Sequence, residues 1–416
     1  MNLHLKLSVV NLESEIKISG SKSETNRLLL LQALYPNLEI ENASNSDDSE
    51  VMAKALTNND QPTTINQINI HHAGTSMRFL TAFFAQKDGF EIVLTGSARM
   101  QERPISILVE ALIQLGAKIE YFNNFGYPPL RIIGRKLTRN KVSLSANVSS
   151  QYISALLLIA PKLENGLELT LIGEITSIPY IKMTLELLNE VGVESSFQNS
   201  KILVLPKPLT HLPQTIVVES DWSSASYFYS IIALSQIGTL IKLSSYKPNS
   251  LQGDAALIEI YKDFGVETIF NDNDKSITIS KVDTHNLKLT TYNLNNCPDI
   301  AQTIAVTCFG LGIGCFLTGL HTLKIKETDR LLALENELSK LGALISVSDS
   351  SLTLEMGIKI NNNVIIHTYQ DHRMAMAFAP LALKTNIIIE NAEVVTKSYP
   401  NFWNDLKCIG FLVSEC

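Results

Sequence analysis

A chain of 416 residues with 45% apolar and 18% charged side chains has the length and composition of a soluble protein with two sizeable cores, which excludes disorder. Its formal net charge of -7 excludes a general nucleic-acid or anionic-membrane binder, since both demand a basic field. Any anionic ligand is therefore expected to be caught by a few local basic groups.

The start of the chain has no basic region followed by a long apolar run, so no signal peptide is expected. The first predicted helix follows Ser21-Lys22-Ser23-Glu24-Thr25-Asn26-Arg27 and runs on from Leu28. Gly74-Thr75-Ser76-Met77-Arg78 leads in the same way into an apolar helix from Phe79. Pro104 and Pro179 are placed at first helical positions, where a missing N–H costs nothing. Ser149-Ser150-Gln151 precedes a helix from Tyr152, Lys326-Glu327-Thr328-Asp329-Arg330 one from Leu331, and Asp371-His372-Arg373 one from Met374. Ser, Thr and Asp at such positions are ordinary caps and need no function. Cations beside most of these caps are less ordinary, because the helix macrodipole disfavours them there. A bound counter-anion would account for them.

A second pattern lies at helix ends. An amphipathic run, then Gly, then an apolar or small residue recurs at Gly116, Gly192, Gly265, Gly342 and Gly410, spaced by 76, 73, 77 and 68 residues. Each glycine is predicted to sit just past its helix in the left-handed conformation, letting the chain turn directly into a strand. A period this long is a whole α/β unit. A less clear copy lies around Val51 to Leu56. Residues 303–320 are largely apolar and approach the length of a membrane span. Their glycines and threonines favour instead a buried helix ending at Gly310, a turn, and a strand at Cys315-Phe316-Leu317-Thr318. The five cysteines, Cys297, Cys308, Cys315, Cys408 and Cys416, are odd in number and show no CxxC pair. Neither a disulfide framework nor a zinc site is expected, which fits a reducing cytoplasm.

Taken in order, the segments 18–27, Ala73-Gly74-Thr75 with Met77-Arg78, Arg99-Met100-Gln101-Glu102-Arg103-Pro104, Ser149-Ser150-Gln151, Ser220-Asp221 through Ser226, 326–330, 371–375 and Lys397-Ser398-Tyr399-Pro400 resemble the enolpyruvyl transferase family, on its EPSP synthase branch. The resemblance runs from Lys17 to Phe402, and the pentapeptide 326–330 is its most diagnostic part. It implies an α/β fold, a two-domain inside-out α/β barrel with three βαβαββ repeats per domain. Residues 21–218 would form the N-terminal, shikimate 3-phosphate side, and 1–20 with 219–416 the phosphoenolpyruvate side. The chain would cross near Gly20 and return near Val218, with the site in the cleft that closes on the first substrate.

The implied reaction transfers the enolpyruvyl group of phosphoenolpyruvate to the 5-hydroxyl of shikimate 3-phosphate, releasing phosphate, in chorismate and aromatic amino acid biosynthesis. The resemblance assigns Lys22, Ser23 and Arg27 to shikimate 3-phosphate, with Lys22 also reaching phosphoenolpyruvate. It gives Ser149, Ser150 and Ser177 to the shikimate phosphate, Tyr180 to the ring, and Gln151 to both ligands. Gly74, Arg103, Arg330, Arg373 and Lys397 would clamp phosphoenolpyruvate, and His372 joins the substrate contacts. Asp299, Lys326 and Glu327 would line the reacting centre, with Lys22, Asp299 and Glu327 catalytic: Glu327 for proton transfer at C3, Asp299 as base at the 5-hydroxyl, and Lys22 as general acid or electrostatic stabiliser. Three arginines and two lysines suit two small polyanions. Read without the family, Glu327 is equally a partner for a cation at a helix start, Asp299 an N-cap, and His372 a structural histidine.

No metal or organic cofactor, nucleic acid or membrane partner is implied, and a cytoplasmic monomer is expected. The chain departs from the family at His72, where Asn is usual, at Phe79, where Pro is common, and at Thr322, where many members carry Asn. Gly74 is retained, so the inhibitor glyphosate should have room. The alternatives are a UDP-N-acetylglucosamine enolpyruvyl transferase or a non-catalytic binding protein on the same fold. Against the first stands the absence of cysteine from residues 104–117, and against the second the retention of Lys22, Asp299 and Glu327.

Overall fold

The computed structural model describes all residues except 58–65, 147–148, 208–213, 284–288 and 358. The chain forms two compact units, Ser21–Val218 and a discontinuous one of Met1–Gly20 with Glu219–Cys416.

The repeat is plainest at residues 290–354. Strand Thr290–Asn293 leads through helix Ala301–Leu311 to the parallel strand Cys315–Thr318, then through helix Arg330–Leu341 to the antiparallel pair Ile345–Val347 and Leu352–Leu354. The unit beginning at Asn66–Asn69 and the one beginning at Lys141–Ser145 repeat this order, each giving a four-stranded sheet with one parallel pair. In the discontinuous unit another such sheet uses strand Glu13–Ile16 as its first member, parallel to Leu240–Ser244. The last sheet is closed by strand Leu3–Lys6, which pairs antiparallel with both Ile387–Ile389 and Leu412–Glu415. Two separate stretches of the chain's beginning therefore complete repeats whose other strands come some two hundred residues or more later.

All five periodic glycines have positive φ: 107° at Gly116, 78° at Gly192, 75° at Gly265, 102° at Gly342 and 109° at Gly410. A side chain is strained in that region, so glycine lets each helix stop and the next strand start within a few residues. The less clear sixth copy is helix Asp47–Thr57. Its repeat is reduced, with strands Leu38–Glu41 and Gln214–Val217 forming only a two-stranded parallel sheet among the described residues.

In each unit the first helix of every repeat lies inside. Helices Lys22–Leu34, Gly74–Gln86 and Ser150–Ile159 pack on one another, as do Trp222–Leu234, Ala301–Leu311 and His372–Phe378 around the middle one. Helices Gly74–Gln86, Ser150–Ile159, Trp222–Leu234 and Ala301–Leu311 are apolar nearly all round, because sheets and neighbouring helices cover every face, whereas Lys22–Leu34 carries Glu24, Thr25, Asn26 and Arg27 into the interior. The sheets lie outside and alternate buried and open positions, as in the pattern at Lys141–Ser145.

Four local expectations need correction. The helices expected from Leu28 and Phe79 already begin at Lys22 and Gly74, so the polar stretches ahead of those residues are helical turns themselves. The apolar helix ends at Leu311 with Gly312 left-handed, one turn residue later than expected. Gly310 lies inside that helix, where a Cβ would meet Leu234 Cδ2 at 2.8 Å, so its glycine serves close packing. Pro104 is not a first helical residue. The helix Ser106–Gln114 is capped by Ile105, and the Pro104 carbonyl accepts from Arg78 Nη2 at 3.2 Å and Tyr152 Oη at 2.5 Å. Pro179 does lie in the first turn of helix Ile178–Glu190. Among the described residues no helix is long and apolar enough to cross a membrane.

Candidate active site

In the discontinuous unit, helix beginnings bring together residues from four distant segments. Asp299 sits in the turn Pro298–Ile300, ahead of helix Ala301–Leu311. Asp329 caps helix Arg330–Leu341 by accepting from the Leu331 and Leu332 amides, both at 3.2 Å, which makes Arg330 its first residue. Asp371 caps helix His372–Phe378 by accepting from the Arg373 amide at 2.9 Å. Asp221 caps helix Trp222–Leu234 and accepts from the Ser224 amide at 2.8 Å.

Arg330 is the hub. Its side chain is 2% exposed, and Nε donates to Asp371 Oδ2 at 2.6 Å, Nη1 to Asp299 Oδ1 at 2.8 Å, and Nη2 to Glu327 Oε2 at 2.8 Å. Asp299 is shared further, with Lys326 Nζ 3.4 Å from Oδ1 and Arg373 Nη2 3.3 Å from Oδ2. Burial alone would raise the Asp299 carboxyl, but Lys326, Arg373 and Arg330 outweigh it and hold the group well below the usual carboxylate range. Burial lowers the Lys326 ammonium, opposed by Asp299. For Arg330 burial is overcome by Asp371, Glu327 and Asp299, which raise it above the ordinary guanidinium value. Three cations thus face three carboxylates in a site that is largely closed to water.

The structure brings Asp299, Lys326, Glu327, Arg330 and Arg373 into one cluster, and the ion-pair reading of Glu327 is realised in its bond to Arg330. Asp299 is not a simple N-cap, since Ile300 occupies that position. His372 is buried, with Nδ1 3.7 Å from Asp371 Oδ1, and Lys397 Nζ donates to the Gln370 carbonyl at 2.6 Å. Sequence reasoning passed over Asp371 as a partner of Arg330, although it stands in the Asp-His-Arg triplet already singled out. Asp254 was also missed. It lies in the turn Gly253–Ala256 and accepts a hydrogen bond from Ser223 Oγ.

The unit Ser21–Val218 holds a different kind of site. Lys22, first in helix Lys22–Leu34, pairs through Nζ with Asp48 Oδ2 at 3.0 Å, a partner that sequence reasoning missed. Arg27, five residues on, is also 2% exposed. It donates from Nε to Thr184 Oγ1 at 2.8 Å, from Nη1 to the Ser23 carbonyl at 2.7 Å and from Nη2 to Ser154 Oγ at 3.0 Å. Its Cζ lies 5.4 Å from the Phe79 ring centre and 6.0 Å from that of Tyr180. Burial lowers its pKa to about 10, opposed by Tyr180 and Glu24, so it stays charged at neutral pH.

Ser149 caps helix Ser150–Ile159, and Gln151 Nε2 donates to Thr75 Oγ1 at 3.2 Å. Ser177 caps the next helix from the left-handed region, φ 55°. Gly74 begins helix Gly74–Gln86, and a Cβ there would lie 2.6 Å from Arg103 Nη1, so only glycine leaves the guanidinium where it is. At the departures, His72 Nδ1 is 2.9 Å from Ser97 Oγ, and the Phe79 ring is one of the two that flank Arg27. Thr322 is buried in the turn His321–Ile325. Among the described residues no group of three or more His, Cys, Asp or Glu is arranged to hold a metal ion.

Buried cations near helix starts, with carboxylates threaded among them, on a repeated βαβαββ unit make a site suited to small anions. The model of the family described as EPSP synthase (3-phosphoshikimate 1-carboxyvinyltransferase) matches residues 8–406, and the chain belongs to that family. It is 46% identical over 405 residues to a 3-phosphoshikimate 1-carboxyvinyltransferase of Bacteroides fragilis strain YCH46, covering 96% of each chain. A protein of the same name from Sulfurovum is 34% identical, with 96% of this chain and 97% of that one covered. The fold is similar to that of EPSP synthase from Acinetobacter baumannii, TM-score 0.79 at 21% identity with both chains fully covered. It is also similar to the enolpyruvyl transferase NikO from Streptomyces tendae, TM-score 0.76 at 13% identity, covering 99% of this chain and 98% of that one.

Proposed function

We propose that this protein transfers the enolpyruvyl group of phosphoenolpyruvate to the 5-hydroxyl of shikimate 3-phosphate, giving 5-enolpyruvylshikimate 3-phosphate and phosphate. Residues 21–218 would take the acceptor through Lys22, Ser23, Arg27, Ser149, Ser150, Gln151, Ser177 and Tyr180. Lys326, Arg330, Arg373, His372 and Lys397, with Gly74 and Arg103, would take phosphoenolpyruvate. The observation that carries the reading is the cluster of Asp299 and Glu327 with Lys326, Arg330 and Arg373.

The chemistry needs a base at the acceptor hydroxyl and an acid at C3. Asp299 takes the hydroxyl proton as the oxygen attacks C2, and Glu327 delivers a proton to C3. The adduct then returns that proton and expels phosphate, with Lys22 supporting charge on the leaving oxygens. Held by three cations, Asp299 is a weak base. An incoming carboxylate and phosphate compete for Arg373 and Lys326, which raises the proton affinity of Asp299 when substrate is present. The clamp thereby couples binding to base strength.

Purified protein should release phosphate only when both substrates are supplied, and Glu327→Gln in folded protein should abolish release. Release with UDP-N-acetylglucosamine in place of shikimate 3-phosphate would reassign the acceptor. The same reading makes this a cytoplasmic monomer inhibited by glyphosate in competition with phosphoenolpyruvate. Light scattering and inhibition kinetics test those two points.

A further inference from the structure

Asp254 has no part in the scheme above, yet it is buried against the cluster. One oxygen, Oδ2, accepts from Ser223 Oγ, and Oδ1 has no hydrogen-bond partner among the described residues. Ser223 Oγ in turn accepts from Arg373 Nη2 at 3.3 Å, and the same Nη2 lies 3.3 Å from Asp299 Oδ2. A serine hydroxyl has one hydrogen. While that hydrogen points at an ionised Asp254, a lone pair must face Arg373. With Asp254 protonated, the hydroxyl hydrogen can turn toward Nη2, where two donors oppose each other.

We infer that Asp254 is a positioning residue for the transfer reaction: through Ser223 it fixes the orientation of the Arg373 guanidinium that meets phosphoenolpyruvate and Asp299. The inference rests on the function proposed above for what Arg373 binds, whereas the hydrogen-bond relay itself does not.

The charged and titratable groups that face Asp254 are Asp299, Arg373, Asp221 and Cys297. Burial and then the Asp299 charge push its carboxyl up to about 6, opposed by Arg373 and by the Ser223 hydrogen bond. The relay therefore weakens as pH falls through that value. An acid limb is expected in kcat/KM for phosphoenolpyruvate but not in that for shikimate 3-phosphate.

The test uses the full chain with Ser223→Ala, Ser223→Thr and Asp254→Asn. Loss of a hydrogen bond to a charged group predicts that Ser223→Ala raises KM for phosphoenolpyruvate by roughly tenfold or more, leaving KM for shikimate 3-phosphate unchanged. Ser223→Thr should restore it, and Asp254→Asn should remove the acid limb. Equal losses in both KM values, or none in either folded variant, would overturn the role. The Arg373 Nε–Hε resonance (assigned with Arg373→Lys) gives a readout free of activity. It should be a single sharp signal above pH 7 that broadens in Ser223→Ala and, in the wild type, below about pH 6. If the wild type releases no phosphate the function reading fails alone, and a signal indifferent to Ser223→Ala and to pH would sink the relay.

Discussion

Arg27 and Arg330 are equally hidden, each 2% exposed, but they are held in opposite ways. Arg330 is saturated by three carboxylates, which drive its pKa up, whereas Arg27 is held by hydroxyls, carbonyls and two aromatic faces, and burial drives its pKa down. An ion-paired guanidinium can exchange a carboxylate for a substrate anion with little change in net charge. The described hydrogen bonds of Arg27 go to neutral groups, with the Glu24 charge acting on it as well, so an arriving anion adds counter-charge without displacing a carboxylate from those bonds. On the proposed function, the carboxylate-rich cluster would redistribute charge during the transfer and the Arg27 site would bind.

The largest expected effect is at the hub. Arg330→Met leaves Asp371, which is fully buried, with Asp299 and Glu327 facing one another without their shared cation. Removing one partner of a buried pair typically costs about 3–5 kcal/mol, so the unfolding free energy in urea should fall by that much, with activity lost. A fall below about 1 kcal/mol would mean that Lys326 or Arg373 moves in to replace it.

Asp299→Asn should fold and bind but lose about 10²- to 10⁴-fold in kcat, the range for a lost acid–base group. Unchanged kcat would remove Asp299 from the chemistry. The sign of its pH linkage is that of a depressed carboxylate. Its contribution is fully present above the unfolded value of about 4 and is lost only as pH falls below that.

Asp254 has the reverse sign. Its folded value, about 6, lies above its unfolded one, so the folded protein holds the extra proton between about pH 4 and 6 and stability declines as pH rises through that window. Asp254→Asn should therefore stabilise the protein at pH 8 by up to about 3 kcal/mol and leave it unchanged below about pH 4. Equal effects at both pH values would show that packing, not charge, sets the difference. Stability gained together with a raised KM for phosphoenolpyruvate would mark a residue kept for function.

These contrasts also show what the chain reveals unaided. The repeat was legible because each unit must reverse from helix to strand within a few residues, and glycine at positive φ is the local means of doing so. The first-turn cations Lys22, Arg330 and Arg373 were legible because they violate the macrodipole preference, whereas Arg27 and Arg78 lie a turn further into their helices than expected. The bond from Arg330 to Asp371 crosses 41 residues and depends on how two helices are set, which no local pattern encodes. Asp48 and Asp254 look like ordinary acidic residues near a helix start or turn until the fold places Lys22 and Ser223 beside them. Pro104 misled because helix-entry chemistry does not show that the carbonyl is already claimed by Arg78 and Tyr152.

In the Arg27 site the expected effects are smaller. Arg27→Lys replaces a fork by a single ammonium and loses charge-assisted bonds to the hydroxyls of Thr184 and Ser154, which keep their bond to each other, at a cost of about 2 kcal/mol. If this residue meets the acceptor, KM for shikimate 3-phosphate should rise about tenfold at unchanged kcat. A change in kcat alone would contradict the division of labour between binding and chemistry.

The smallest quantity to be read is the coupling between Phe79 and Arg27, reached through Phe79→Leu. The ring is fully buried in helix Gly74–Gln86, so the substitution loses some packing as well as the aromatic face 5.4 Å from Arg27 Cζ. A desolvated cation–π contact is worth about 1–2 kcal/mol, and the size change alone about 1 kcal/mol. The double-mutant cycle with Arg27→Gln separates the two, because Gln removes the cation while the packing loss is common to both backgrounds. A coupling energy near 1 kcal/mol would mean that the aromatic at this departure from the family pattern substitutes for a charge partner. Coupling near zero would leave Arg27 to its hydroxyl and carbonyl partners, the Tyr180 ring and the Glu24 charge, and KM for shikimate 3-phosphate in Phe79→Leu would then stay at the wild-type value.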